Sequence, residues 1–213
     1  MRKCFLILLG FLIFSSVIAS SEKDMKYHAE PSYYLSPYGK DAFACYFKLS
    51  DFGITGYDYK IKIIGFIGYE EDGPADIYVT SKEVWDQGQR CYVPACNPDN
   101  NWDGSEYGPK EWHINNLYPN YDDCDIYNDN WHYSKDVDKF WCIYYLKTGG
   151  CPPYPVEDDY VEFKNSLTYW SSYKAWIKGV YGTYGDWCMH CVIVYWGVGV
   201  ENTSLGLVKT LFR

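Results

Sequence analysis

The run ITGYDYKIKII (Ile54–Ile64) places Tyr57, Tyr59, Ile61 and Ile63 at every second position, with Asp58, Lys60 and Lys62 between them. A period of two belongs to a β-strand, whose successive side chains leave opposite faces, so this segment reads as a strand with one dry and one wet face. Strand-sized apolar runs recur along the chain: AFACYFKL (Ala42–Leu49), ADIYVT (Ala75–Thr80), RCYVPA (Arg90–Ala95), EWHINNL (Glu111–Leu117), KFWCIYYLK (Lys139–Lys147), DYVEF (Asp159–Phe163), LTYWSSY (Leu167–Tyr173) and DWCMHCVIVYW (Asp186–Trp196). Turn-forming clusters separate them, namely EEDGP (Glu70–Pro74), NPDNNWDG (Asn97–Gly104), TGGCPPYP (Thr148–Pro155) and YGTYGD (Tyr181–Asp186). Aromatic residues make up 20% of the chain, and tyrosine and tryptophan suit the half-buried surface of a sheet. One stretch, YKAWIKGV (Tyr173–Val180), has the character of a short helix. The pattern predicts an all-β fold, an antiparallel β-sandwich.

The opening MRKCFLILLGFLIFSSVIASS has Arg2 and Lys3 before an apolar run from Phe5 to Phe14 and small residues around Ala19, the layout of an export signal. That run is well short of the roughly 20 residues that span a bilayer. The expected organisation is a signal peptide over 1–19, an N-terminal extension over 20–39, a sandwich domain over 40–200 and a tail over 201–213. Removing residues 1–19 lowers the net charge from −9 by two, to −11. Such a surface repels phosphate backbones and anionic membranes, so nucleic acid is excluded as a partner, and the mature chain has no membrane span. The expected location is outside the cell or at its surface.

Eight cysteines follow the signal: Cys45, Cys91, Cys96, Cys124, Cys142, Cys151, Cys188 and Cys191. An even number behind an export signal reads as a disulfide framework, with about a hundred connectivities open. The spacing of Cys188 and Cys191 also admits a metal or redox motif. On a strand, however, Cys188 and His190 face one way and Met189 and Cys191 the other, so two disulfide halves with different partners is the preferred reading.

The order FACYFKLSDFGITGYDYKIKIIGFIGYEEDGPADIYV, FWCIYYLKTGGCPPYPVEDDYVEF, SLTYWSSYKAW, GDWCMHCVIV resembles a loosely defined set of secreted bacterial β-sandwich domains of jelly-roll or CUB-like topology. In that set a first strand pair leads to a DGP turn and the last core strand begins with Gly-Asp. The ending TSLGLVKTLFR is similar to the short basic-aromatic endings of secreted bacterial proteins. The resemblance implies a disulfide-bonded sandwich and export, and it carries no catalytic residues to transfer.

Asp99, Asn101, Asp103 and Gly104 match the opening D-x-N-x-D-G of a calcium loop, in which alternate oxygen ligands converge and glycine permits the sharp turn. The twelfth position, which should supply a bidentate glutamate, is Lys110. Acidic YDDCDIYNDN, with Asp122, Asp123, Asp125 and Asp129, reads as a second loop able to contribute carboxylates to the same Ca2+. VEDDY reads as a solvated loop face, since neighbouring acids on one strand point apart and make a poor hydrolase pair. Trp102 and Trp131, with Trp85 and Trp112 near them in sequence, are candidates for a platform that stacks on a glycan; strand packing is the alternative. No G-x-S-x-G motif occurs, and His28, His113, His132 and His190 have no partner motif.

The sequence therefore points to a secreted, non-catalytic surface or interaction module, stabilised by calcium. Its alternatives are a carbohydrate-binding module, a structural protein that self-associates or contacts a surface protein, and, more remotely, a secreted hydrolase.

Overall fold

The structure, a computed structural model, describes residues 20–34, 41–69, 74–95, 107–113, 122–146, 154–158, 165–178 and 185–197. These form two six-stranded antiparallel sheets and a separate two-stranded hairpin. The strands of the first sheet are β1 (Ser20–Lys26), β2 (Pro31–Tyr34), β4 (Asp58–Tyr69), β9 (Asp122–Tyr133), β11 (Tyr154–Asp158) and β14 (Met189–Trp196). Those of the second are β3 (Ala42–Lys48), β5 (Pro74–Thr80), β8 (Tyr107–His113), β10 (Lys139–Leu146), β12 (Ser166–Trp170) and β13 (Ala175–Lys178), in the order β13-β12-β3-β10-β5-β8. The hairpin pairs β6 (Glu83–Asp86) with β7 (Cys91–Pro94). No helix among the described residues is long and apolar enough to cross a membrane.

Long β4 organises the first sheet. It pairs with β9 on one side and β14 on the other, and where β14 ends at Phe66, β11 takes over at Gly68. Opposite β14 the register passes from Ile63 directly to Ile61, which makes Lys62 an extra residue, a β-bulge. Strict alternation predicts that Tyr59, Ile61 and Ile63 line the core. Because the bulge changes the phase, the core face continues instead through Ile64 and Phe66.

Burial in the second sheet follows a different rule. Along β3, Phe43, Cys45 and Phe47 enter the core between the sheets, while Ala42, Ala44 and Tyr46 belong to a second apolar cluster on the opposite face. Along β10, Phe140, Cys142 and Tyr144 face inward and Trp141, Ile143 and Tyr145 outward. Val93 and Cys91 of the hairpin help cover this outer cluster. A sheet dry on both faces demands near-continuous apolar runs, which accounts for FACYF and FWCIYY.

Of the segment over 20–39, the described residues 20–34 join the first sheet, where β1 pairs with β14 along its whole length, Met25 is fully buried, and β2 pairs with β11. Two expectations are corrected. YDDCDIYNDN is not a loop but most of β9, held by β4. The helical reading of YKAWIKGV gives way to β13, which pairs with β12 from Leu167↔Lys178 to Trp170↔Ala175.

Candidate functional site

Between the outer face of the second sheet and the hairpin lies a cavity of about 260 Å3, lined by Tyr46, Tyr92, Trp141, Glu83, Lys139 and Lys178 among others. Its floor comes from adjacent strands, since Tyr46 of β3 and Trp141 of β10 are register partners and their rings lie 5.3 Å apart. The wall is the hairpin, where Trp85 and Tyr92 are also register partners and meet edge to face at 5.2 Å. Both residues are about half exposed (48% and 51%), and Tyr92 lines the cavity. Lys139 ties wall to floor. Its ammonium bonds the Glu83 carboxylate at 2.5 Å and stands 5.0 Å over the Tyr92 ring.

Trp141 gives the cavity its chemistry. The side chain is 5% exposed, and its indole Nε1–H has no hydrogen-bond acceptor among the described residues. A buried donor left unsatisfied costs about 1–3 kcal/mol, a cost carried by the fold, while the indole ring is what Trp141 gives to the cavity lining. Tyr46 adds a hydroxyl whose pKa is raised, first by burial and then by Asp51, Glu83 and Asp138. It therefore stays a neutral donor. The Cys91 thiol is likewise pushed up by burial, with Lys178 acting against the shift.

Behind the cavity, Asn165 and Ser166 belong to a buried polar corner. Asp186 Oδ1 accepts the Asn165 amide at 3.1 Å and the Ser166 hydroxyl at 2.7 Å, and Ser166 Oγ accepts the Trp187 amide at 2.9 Å. Asp158 accepts the amides of Asp186 at 2.8 Å and Ala29 at 2.6 Å. Glu157 and Asp158 are 2% and 1% exposed, so the acids of VEDDY that the structure describes are interior groups and not a solvated loop face.

The remaining candidates fall as follows. Trp131 is 2% exposed within the core between the sheets and offers no face to a sugar. Asp99, Asn101, Asp103, Trp102, Cys96 and Cys151 lie outside the described residues. No group of three or more His, Cys, Asp or Glu that could hold a metal occurs among the described residues. Cys45, Cys91, Cys142, Cys188 and Cys191 are free thiols in the structure. Cys188 and Cys191 serve different surroundings. Burial first, and then Asp158, Glu157 and Asp186, push the Cys188 thiol well above the ordinary range, whereas Cys191 is a fully buried member of the core between the sheets.

Sequence reasoning had Trp85 near the candidate platform but missed Tyr46, Tyr92 and Trp141. The signal that could have found Trp141 is a tryptophan, whose N–H needs a partner, at the centre of an otherwise apolar strand.

Compared with protein-family models, with curated proteins and with solved structures, the chain matches none. Fold and site together define an all-β protein of two antiparallel sheets, with an aromatic-walled cleft on the outside of one of them.

Proposed function

We propose that this chain is exported and works as a non-catalytic interaction module, a disulfide-braced sandwich of jelly-roll or CUB-like topology, whose cleft under the β6–β7 hairpin binds a carbohydrate. The observation that carries this reading is a cavity lined by the aromatic residues Tyr46, Tyr92 and Trp141 together with Glu83, Lys139 and Lys178. A pyranose answers both features, since its C–H face stacks on Tyr and Trp rings while its hydroxyls bond charged side chains. The volume lies a little below the roughly 300–1,000 Å3 typical of drug-sized ligands, which suits a single sugar unit of a longer chain. Calcium at Asp99, Asn101 and Asp103 belongs to the same reading as a stabiliser of the segment after β7. Calorimetric titration of the oxidised protein with calcium tests it, and no heat would remove it.

The cleft is tested by following tryptophan fluorescence while titrating the protein with neutral and uronic-acid polysaccharides. Trp141→Phe replaces the indole by a smaller phenyl ring and so shrinks the stacking floor, and it is expected to weaken binding at least about tenfold, the equivalent of about 1.4 kcal/mol. Tyr92→Ala removes part of the wall and should weaken it as well. Unchanged affinity in both variants, with folding intact, would rule out this site.

A further inference from the structure

We propose that the cleft takes an acidic sugar, whose oxyanion is held by the Lys178 ammonium and the Asn165 carboxamide. This deepens the glycan reading and rests on it. Of the described residues that line the cavity, the charged ones are Glu83, Lys139 and Lys178. Glu83 and Lys139 neutralise each other in their ion pair, while the Lys178 ammonium has neither an ion pair nor a hydrogen bond among the described residues. This lining thus keeps one positive charge in excess, on a chain whose net charge is −9.

Asn165 supplies the second group. It is 8% exposed, and its backbone is fixed on both sides: the amide donates to Asp186 Oδ1 at 3.1 Å, and the carbonyl accepts the Tyr46 amide at 3.0 Å. Its carboxamide has no hydrogen-bond partner among the described residues, yet it is not sealed off as the Trp141 Nε1–H is, so its polar end opens on the cavity it lines. An amide with both ends unengaged can turn its NH2 towards an incoming oxygen. Lys178 approaches from the neighbouring strand. It is the register partner of Leu167, another lining residue, and its amide donates at 3.1 Å to Gln89 Oε1, in the turn between β6 and β7.

An ammonium and an amide NH2 are both donors, and a hydrogen bond to a charged acceptor is about twice as strong as a neutral one, so a carboxylate or a sulfate suits the pair. On a pyranose such a group projects from the ring edge, which leaves the ring face to the aromatic lining. The acidic surface of the chain opposes anions at long range. At physiological salt that opposition is screened beyond about 8 Å, whereas direct contact with Lys178 is not. A short acidic oligosaccharide therefore gains in the cleft what a phosphate backbone loses on the wider surface.

The test compares oligogalacturonate with its methyl ester, and dextran sulfate oligosaccharides with dextran, by calorimetric titration of the full chain at physiological salt. The expected result is binding at least about fivefold tighter for the acidic member of a pair than for its neutral counterpart. A preference confined to one pair identifies carboxylate or sulfate as the anion recognised, and a preference in both identifies charge alone. Lys178→Gln and Asn165→Ala should each erase most of the preference and leave the binding of the neutral ligands unchanged. Both substitutions keep the backbone bonds that hold these residues, so the fold is expected to survive them. Equal binding of acidic and neutral ligands, or a preference untouched by either substitution, overturns the inference and leaves the glycan reading standing. No binding of any of the four, with folding intact, sinks that reading and the inference together.

Discussion

Ser166 donates its hydroxyl hydrogen bond to Asp186 at 2.7 Å with both side chains buried. The same oxygen accepts the Trp187 amide, so one hydroxyl satisfies a carboxylate and a backbone donor together. Ser166→Ala is expected to strand the amide and remove one of the carboxylate's donors, at a cost of about 1–3 kcal/mol. Urea denaturation measures this, and an unchanged midpoint would show that water or a shifted neighbour replaces the hydroxyl.

Gly185 comes immediately before this corner. A Cβ there would run into the carbonyl oxygen of Asp158 and crowd the Glu157 carboxylate. Since backbone cannot yield as a flexible side chain can, Gly185→Ala should destabilise the fold by about 1–3 kcal/mol or prevent folding. A variant as stable as the parent would mean that the approach of β11 to this segment is looser than described.

Partly buried His28 makes stability depend on pH. Its pKa lies below the ordinary 6.5, first because burial disfavours the imidazolium and also because Lys26 and His190 are close, while Asp158 and the Ala29 carbonyl pull the other way. With the folded value depressed, the unfolded chain takes up the proton first. The stability is therefore complete above about pH 6.5 and is lost as pH falls from there through the lower folded value. Unfolding measured from pH 7.5 to 5 should show a decline that is shallower in His28→Gln. Parallel curves would assign the decline to other groups.

Met25 is the buried residue of an otherwise exposed β1. Truncating it with Met25→Ala should cost about 2–5 kcal/mol, as for other core methionines, and removing β1 outright should cost more by baring the edge of β14. Chemical denaturation of both variants checks the order. A full-stability protein starting after Lys26 would return the segment to the status of a dispensable leader.

The sequence made the apolar strands legible and the polar ones illegible. FACYF, ADIYV and FWCIYY announce β3, β5 and β10 because a sheet dry on both faces leaves little room for polar residues. SSEKDMK does not announce β1, since an edge strand with one buried residue is held by partners and not by its own pattern. DDCDIYNDN carries turn-forming residues throughout, and only pairing with β4 makes it a strand, a case of tertiary context overriding propensity. The phase change at Lys62 was hidden because Ile63 and Ile64 are both isoleucine. The cleft was largely unreadable for a similar reason. Between the two lysines of KFWCIYYLK every side chain is apolar enough for either face, so nothing from Phe140 to Leu146 tells that Trp141 looks outward while Cys142 looks in.

The hairpin that walls the cleft has another consequence. Ala44, Ile143 and Leu167 beneath and beside it make up an oily slab of the kind that glues unrelated chains together when laid bare. Peeling β6 and β7 away, even briefly, would turn the outside of the second sheet from a covered face into a nucleus for clumping. The few residues of that flap thus guard the molecule's solubility, and the Lys139–Glu83 latch is the bolt that keeps it shut.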